Sequence, residues 1–389
     1  MLKRVSSGRN GKKSIVLQAS YSLQINAEAN SNQGQSPVSR VTSIQVAQLA
    51  GVSRTTVSFV LNGVAGMGIS EETRSRVLAA ARKLGYVPNA MARSLAVGST
   101  RTVALLMPHG DHIHVDVDAY LPRFLAGLSA ACHANGYKVI LEPVKESHRP
   151  GAFLDLVESG RVDGLVVLNP RKLDDDHLRK LAHKEFPLVV FGSNLADSHP
   201  ICAIGVDNRS AAQRATEHLL GLGHERVAHI GFASDDYQVV HDRLNGFRQA
   251  MEARRLDVRP EWIAFADYSA ESGYEAMRTM LSRASRMTAL FAGNDTVAFG
   301  AMAAIRDAGL RIPDDLAVVG YDDIPLAAFA TPPLTTVRTE PFKEGNDAAA
   351  MLLGLIAGNP VDGLHSRAVA PLVVRQSCGA SSPNIEKRN

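Results

Sequence analysis

Polar residues follow several short apolar runs in the second half of the chain, and their types suit a ligand with many hydroxyl groups. Asp267 and Tyr268 follow IAFA, Asn294 follows LFAG, Asp322 follows VVGY, and Arg243 lies in HDRLNGF. Carboxylates and amides bond adjacent hydroxyls, a guanidinium bridges two of them, and an aromatic face packs on the C–H side of a ring. The set predicts a sugar site whose contacts are Arg243, Tyr268, Asn294 and Asp322.

The alternative for Asn294 and Asp322 is turn capping, which both residue types do well. Asp207, Asn208 and Asp295 are weaker candidates for the same site, and helix capping is the simpler interpretation of them. The stretch HGDHIHVDVD, which begins at His109, is a further candidate. We predict that His109 or Asp111 lines the ligand cleft and that the other members are solvated. These side chains could also bind a metal, but they lie on one loop without identifiable outer partners, so we predict no metal and no cofactor.

The elements that position these residues alternate between apolar runs and amphipathic helices from Val103 onward, which predicts βα units on parallel sheets. The predicted strands are VALLM, VILEPV, GLVVL, LVVFG, VAHIGF, IAFAD, ALFAG and AVVGY, and a helix is predicted over 124–135. The series divides near Gly223 into two similar lobes. Because parallel sheets bind ligands at the carboxyl ends of their strands, the residues after these runs should share a cleft between the lobes.

Ahead of these units, residues 42–85 predict three short capped helices. Thr42 with Gln45 three residues later forms a capping box, Ser53 precedes a helix over 54–61, and Ser70 precedes a third helix that ends at Gly85. Only a few residues separate the first two helices, which is the helix-turn-helix arrangement. The predicted core residues are Val46, Ala47, Leu49, Ala50, Val57, Val60, Val77, Leu78, Ala81 and Leu84.

In such a module the start of the second helix reaches base edges in the major groove of DNA. We predict base contacts from Arg54, Thr55 and Phe59, because a guanidinium suits guanine and apolar groups suit the thymine methyl. The hydroxyls of Ser53, Thr56 and Ser58 suit phosphates. The alternatives are a phosphate clamp for Arg54 and a core position for Phe59.

Three consecutive segments, AGVSRTTVSFVLNG, SEETRSRV and LGYVPNAMARSL, resemble the lac repressor (LacI/GalR) family of bacterial transcription regulators. The resemblance implies that PNAMARSL is a hinge helix that folds on operator DNA, with Leu95 entering the minor groove beside Asn89 and Arg93. A helix this short is unstable alone, and an apolar wedge bends DNA, so the chemistry agrees. The alternative is a plain linker with a buried leucine.

The same resemblance implies a two-lobed body like that of periplasmic sugar-binding proteins. By position, Arg243, Asn294 and Asp322 match the effector-contacting residues of the family, and Tyr268 matches its aromatic platform. The implied protein is a homodimeric repressor on a palindromic operator. The expected fold class is a small all-α helix-turn-helix domain joined to an α/β periplasmic-binding-protein-like domain with parallel sheets flanked by helices.

The charge distribution agrees with a DNA-binding end. Residues 1–101 carry 13 Lys and Arg against 3 Asp and Glu, whereas the remainder carries 29 against 36, within a chain whose net charge is +3. Phosphate neutralisation by such a basic segment makes binding weaken with salt. The three scattered cysteines and the lack of a long apolar run predict a cytoplasmic protein without disulfides or a membrane span.

The predicted organisation is a disordered segment 1–40, a helix-turn-helix domain 41–87, and a hinge and linker 88–101. The first lobe comprises 102–223 and 337–356, the second lobe 224–336 and 357–377, and a polar tail 378–389 follows. The tail has no leucine heptads, so a dimer rather than a tetramer is expected. The rival classes are an enzyme, for which no catalytic motif is found, a transport binding protein, and an architectural DNA protein.

Overall fold

The computed structural model describes residues 41–64, 66–87, 98–109, 120–145, 149–192, 201–283, 286–359 and 365–380. The chain divides into two compact units, Met1–Asn89 and Ala90–Asn389. None of the helices in these ranges is long and apolar enough to cross a membrane. The predicted disordered segment and most of the polar tail lie outside the described residues.

The first unit contains the three predicted helices, α1 (Ser43–Ala50), α2 (Arg54–Leu61) and α3 (Glu71–Leu84). The Thr42 amide donates to Gln45 Oε1 at 2.8 Å. Ser53 Oγ accepts the Thr56 amide at 3.1 Å, and Ser70 Oγ likewise caps α3. These side chains satisfy amides that a helix start leaves unpaired, so the predicted caps are confirmed.

The core of this unit confirms most of the predicted apolar positions, including Val46, Val57 and Val77, which are fully buried. Two predictions were wrong: Leu49 is 47% exposed and Leu78 is 36% exposed. At 3.6 residues per turn, each leucine lies roughly 100° around its helix from the centre of the buried face. A short helix that packs on one side cannot bury a residue placed so far round.

The first lobe of the second unit is built on an all-parallel sheet with the strand order β11-β5-β4-β3-β1-β2. Its strands are β1 (Thr102–His109), β2 (Lys138–Lys145), β3 (Gly164–Leu168), β4 (Leu188–Phe191), β5 (Cys202–Val206) and β11 (His365–Ala368). Its helices are α4 (Tyr120–Ala134), α5 (Leu154–Glu158), α6 (Asp175–His183) and α11 (Pro341–Ile356). The apolar runs of β1, β3 and β4 make buried strands because helices cover both faces of the sheet there. The prediction of a buried strand was wrong for β2, where Ile140 and Leu141 are exposed because β2 lies at the edge of the sheet.

The second lobe repeats this plan with the strand order β12-β10-β9-β8-β6-β7, in which only β12 is antiparallel. Its strands are β6 (Val227–Gly231), β7 (Ile263–Phe265), β8 (Ala289–Ala292), β9 (Ala317–Asp322), β10 (Thr335–Arg338) and β12 (Leu372–Val373). Its helices are α7 (Asn208–Gly221), α8 (Gln238–Ala253), α9 (Ala270–Arg283) and α10 (Asp295–Asp307).

The structure corrects the predicted lobe boundaries. Helix α7 belongs to the second lobe, because Ala211 and Leu219 share a buried cluster with Leu244 and Phe247 of α8. Strand β11 pairs with β5 and belongs to the first lobe. The chain therefore crosses between the lobes after β5, after β10 and after β11. The predicted break at Gly223 came one helix too late, since it was placed after a helix that packs on the second sheet.

Helices α4 and α11 pack with their backbones in contact. Gly127 of α4 faces the main chain of Phe342, and Gly345 of α11 faces the main chain of Phe124. A Cβ atom on either glycine would overlap the opposing backbone, so only glycine allows this approach. The contact packs α11, which follows the second crossing between the lobes, against the first lobe.

A single carboxylate holds the segment that enters the first lobe. Asp163 accepts the hydroxyl of Ser99 at 2.6 Å, the amide and hydroxyl of Thr100 at 2.7 and 2.8 Å, and the amide of Arg101 at 2.9 Å. Burial raises the pKa of Asp163, but these hydrogen bonds outweigh it and hold the pKa below the usual value. The carboxylate therefore fixes residues 99–101 to the loop before β3.

Candidate ligand cleft and nucleic-acid surface

The carboxyl ends of the parallel strands of both sheets border one cleft. This is the position at which ligands bind in parallel α/β sheets. The side chains that line it come from both lobes and from the crossing segments, and they are Tyr120, Asn169, Phe191, Val206, Asn208, Phe232, Val239, Arg243, Tyr268, Asn294, Asp322 and Thr339. Four of the five predicted ligand contacts are among them. The structure thus brings Arg243, Tyr268, Asn294 and Asp322 together.

Arg243 is the most constrained of these residues and is only 7% exposed. Its Nε donates to Asn208 Oδ1 at 2.9 Å, and its Nη1 donates to the Gly293 carbonyl. The guanidinium carbon lies 3.5 Å from the centroid of the Tyr321 ring, and Nη2 lies 3.8 Å from Asp322 Oδ1. The aromatic stacking and the hydrogen bonds fix the guanidinium plane, which pre-organises its donors for a ligand.

Asp322 ends β9 with φ of 112°, and its carbonyl accepts the Thr339 hydroxyl at 3.1 Å. Tyr268 and Asn169 also have positive φ values, 72° and 47°. Backbones in this region are uncommon for residues with a Cβ and concentrate at binding and catalytic sites. Three residues of the cleft wall are therefore held in costly conformations by the surrounding fold.

Asn294 caps a helix and also lies in the cleft wall. Its Oδ1 accepts the Val297 amide at 2.8 Å and caps α10, while the residue also lines the cleft. The Tyr268 ring packs edge-on against Phe232, with centroids 5.3 Å apart. Asp267, by contrast, accepts the amide and hydroxyl of Ser269 and is not a lining residue.

His109 ends β1, opposite Lys145 of β2, but its side chain and Asp111 lie outside what the structure describes. Among the described residues, no group of three or more His, Cys, Asp or Glu side chains is placed to hold a metal ion.

Two ionisable groups of the second lobe are fully buried. His229 of β6 is fully buried, and burial lowers its pKa to about 4. Asp295, the residue after Asn294, is also fully buried and accepts the Thr336 hydroxyl at 2.6 Å and the Ile324 amide at 2.9 Å. Burial outweighs these bonds and raises the pKa of Asp295 to about 7.

The start of α2 presents polar groups to solvent. Arg54 and Thr55 are exposed, and Phe59 is half-buried one turn later. The Ser53 and Thr56 hydroxyls lie 2.9 Å apart, and Ser58 Oγ accepts from the Asn62 side chain at 3.2 Å. The candidate hinge residues Asn89, Arg93 and Leu95 lie outside the described residues.

Comparison with known proteins agrees with both halves of this architecture. Residues 44–89 match the model of bacterial regulatory proteins of the lacI family, and residues 216–378 match that of the periplasmic binding protein-like domain. The HTH-type transcriptional repressor PurR of Proteus mirabilis is 35% identical over 88% of this chain and 98% of its own length. The chain belongs to the LacI family of bacterial transcription regulators.

Other LacI-family proteins align over nearly the whole chain. The HTH-type transcriptional regulator CelR of Thermobifida fusca is 33% identical over 87% of this chain and 98% of its own length. The lac repressor dimer bound to operator and the anti-inducer ONPF superimposes with a TM-score of 0.75 at 28% identity, covering 88% of this chain and all of that one. The helix-turn-helix domain and the two-lobed body are thus those of this family, and these relatives are transcription regulators.

Sequence reasoning missed several lining residues of this LacI-family cleft. The Tyr120 hydroxyl donates to Glu344 Oε2 of α11 at 2.7 Å, and burial together with this carboxylate raises the pKa of Tyr120. Asn169 directly follows a predicted strand, so the rule that located Asp322 would also have found it. Asn208 was predicted to be mainly a helix-capping residue, but its side chain lies in the cleft wall and holds Arg243. Its Oδ1 also accepts the Tyr321 hydroxyl at 3.0 Å.

Proposed function

We propose that this LacI-family chain is a repressor whose operator binding is controlled by a sugar or sugar derivative in the cleft between its lobes. The observation that carries the proposal is the fixed Arg243 guanidinium beside Asp322, with Asn294 and Tyr268 in the same cleft. These groups supply charged donors, a carboxylate acceptor, an amide and an aromatic face around one space. Such a set suits a pyranose ring.

A relative supports the sugar assignment. The CelR–cellobiose complex superimposes on this chain with a TM-score of 0.64 at 31% identity, covering 87% of this chain and 100% of that chain. We therefore place cellobiose among the first ligands to test.

A nucleobase is a second candidate, and the aromatic content of the cleft favours it. Tyr120, Phe191, Phe232 and Tyr268 all line the space, which is more aromatic surface than one sugar face needs. Flat rings stack on aromatic side chains in offset or edge-on geometry. Thermal unfolding with ligands of both classes separates the two candidates.

On the DNA side, we propose that α2 enters the major groove, with Arg54, Thr55 and Phe59 at base edges. The capping hydroxyl of Ser53 and the hydroxyls of Thr56 and Ser58 then face the phosphates. We further propose that residues 88–101 form the hinge, with Asn89, Arg93 and Leu95 at the minor groove, and that a homodimer reads a palindromic site. A cytoplasmic location follows from that role.

The test is thermal unfolding of the purified protein with sugars, sugar phosphates, polyols, nucleobases and divalent metals. A ligand at about 100 times its dissociation constant adds roughly 2.7 kcal/mol, which raises Tm by several degrees. The stabilising ligand should lose its effect in Asp322→Asn and keep it in Asp257→Asn, which changes an exposed aspartate of the same lobe. The stabilising ligand should also change the affinity of the wild-type protein for operator DNA.

A shift that persists in Asp322→Asn would place the ligand elsewhere. A shift from zinc or nickel alone would overturn the sugar proposal and direct attention to the loop after His109. A shift from a nucleobase alone would select the second candidate.

A further inference from the structure

Two loops, one from each lobe, are joined by main-chain hydrogen bonds at the edge of the cleft. The Lys172 amide of the first lobe donates to the Asp236 carbonyl at 2.9 Å, and the Gln238 amide of the second lobe donates to the Pro170 carbonyl at 3.3 Å. Between these bonds, Arg171 pairs with its partner on the opposite loop as an isolated antiparallel β-bridge. We call this contact the interlobe bridge.

The bridging loops are also walls of the binding region. Asn169, just before the first loop, and Val239, just after the second, both line the cleft. Arg171 and Tyr237 line an apolar cavity that adjoins the cleft and shares Asn169 with it. The bridge therefore joins the two walls of the cleft directly and does not lie in a remote part of the lobes.

The part of the cleft beside Arg243 and Asp322 is closed in this conformation. Its cavity volume is about 30 Å³, which is room for one or two water molecules and not for a sugar ring or a nucleobase. A larger cavity of about 530 Å³ adjoins it at Phe191, Val206 and Thr339. A ligand of either class can contact Arg243 and Asp322 only when the lobes separate there, and separation must break the interlobe bridge.

The first-lobe loop is held by contacts within its own lobe. Arg171 Nε donates to Asp174 Oδ2 at 2.7 Å, and both side chains are nearly fully buried. Asp174 Oδ1 also accepts the Gly151 amide at 2.9 Å. Because the loop is already ordered, little conformational entropy is lost when the bridge forms.

Side-chain charges add less than the main chain does. Lys172 Nζ lies 3.8 Å from Asp235 Oδ2, and His241 Nδ1 lies 3.0 Å from Asp235 Oδ1. Asp235 is 41% exposed, so water and salt screen these pairs. The two amide donors are therefore the groups to test.

We propose that the interlobe bridge holds the lobes closed without ligand, and that Lys172 and Gln238 are positioning residues that set ligand affinity through the closed fraction. The proposal rests on the proposed function in assigning the cleft to a ligand. When the lobes exchange between open and closed forms, the apparent ligand affinity is scaled by the fraction of molecules in the form that binds the ligand. Each amide bond lost should lower the ratio of closed to open molecules by about 2- to 12-fold.

The chain allows each amide donor to be deleted cleanly. Gln238 is the first residue of α8 and Lys172 is the first residue of a 3₁₀ helix over Lys172–Asp174. Proline is well tolerated at a first helical position, where it lacks only the N–H. The preceding residues, Tyr237 and Arg171, have extended backbones (φ −82°, ψ 128° and φ −78°, ψ 142°), as a following proline requires.

The variant is Lys172→Pro with Gln238→Pro, and its matched control is Lys172→Ala with Gln238→Ala. The control loses the same side chains, including the Gln238 bond to Asp242, but keeps both amides. In small-angle X-ray scattering of the ligand-free protein, the proline variant should have a larger radius of gyration, and the alanine variant should match wild type. Identical scattering of the two variants would overturn the proposal.

A second measurement needs no substitution. First-turn amides have no partner within their own helix, so those of Lys172 and Gln238 should exchange freely unless the bridge protects them. In ligand-free wild type, hydrogen–deuterium exchange of peptides that cover 171–174 and 236–239 should be at least about 2-fold slower than the intrinsic rate. Exchange at intrinsic rates would refute the bridge even if the proline variant failed to fold. Neither measurement uses a ligand, so failure of the sugar panel and failure of the bridge are separate results.

Discussion

His229 gives the second lobe a pH dependence that one substitution should remove. The imidazole is fully buried in β6, stacked 5.3 Å from the Phe247 ring and 5.0 Å from the Phe291 ring. Its Nδ1 lies 2.9 Å from the Phe291 carbonyl oxygen, and Nε2 has no hydrogen-bond partner within the described part of the chain. Burial of the charged form lowers the pKa of His229 from 6.5 to about 4.

The sign follows from proton binding in the two states. Between pH 6.5 and 4 the unfolded chain binds a proton at His229 and the folded chain does not, so acid favours unfolding. With one pKa unit equal to 1.36 kcal/mol, lowering the pH from 7.5 to 5 should cost about 2 kcal/mol of unfolding free energy. The full stability contribution is present above pH 6.5 and is lost as the pH falls toward 4.

The assay is urea unfolding of wild type and His229→Phe at a series of pH values. Fluorescence of Trp262, the single tryptophan of the chain and a buried residue of the second lobe, reports on that lobe. The free-energy difference between the two proteins cancels other titrating groups and should change by about 2 kcal/mol between pH 7.5 and 5. The lost bond to Phe291 adds only a constant offset. A pH-independent difference would refute the reasoning.

Other substitutions test the remaining parts of the molecule. Because burial raises the pKa of Asp295 to about 7, wild type should lose unfolding free energy relative to Asp295→Asn as the pH rises from 4 to 7, and a gain would contradict the assignment. Leu95→Ala should abolish tight operator binding and leave ligand binding intact, whereas Asp322→Ala should do the reverse; loss of both activities in both variants would exclude a modular protein. In a base-substitution series, Arg54→Ala should cost about 1–3 kcal/mol at one operator position, while an equal loss at every position would make Arg54 a phosphate contact.

Local chemistry explains why the caps and most of the strands could be predicted. Ser53 and Ser70 bond amides only three residues away, so the sequence carries the whole interaction. The apolar runs of β3, β8 and β9 mark fully buried strands in any α/β protein. The positions of Asn294 and Asp322 in the cleft wall could be predicted because both residues follow such runs.

The features that escaped prediction depend on partners far along the chain. Strand β11 is four residues long and is defined by its pairing with β5, more than 150 residues earlier. Tyr120 reaches the cleft beside Glu344, which is 224 residues away. Leu49 and Leu78 are exposed because they lie on the uncovered side of a short helix. An apolar residue type alone does not indicate which side of the helix will be covered. No local pattern encodes these arrangements.

The four hydrogen bonds that Asp163 accepts from residues 99–101 attach the incoming segment to the first lobe at one short site. The donors are two main-chain amides and two small hydroxyls, and the carboxylate that receives them lies in the same unit of the chain. All four donors follow Gly98 in the sequence. A DNA-reading domain of different operator preference, grafted upstream of this glycine, would inherit the same attachment to the ligand-binding lobes. The position is therefore a natural junction both for recombination between relatives and for building biosensors that report one ligand through a chosen promoter.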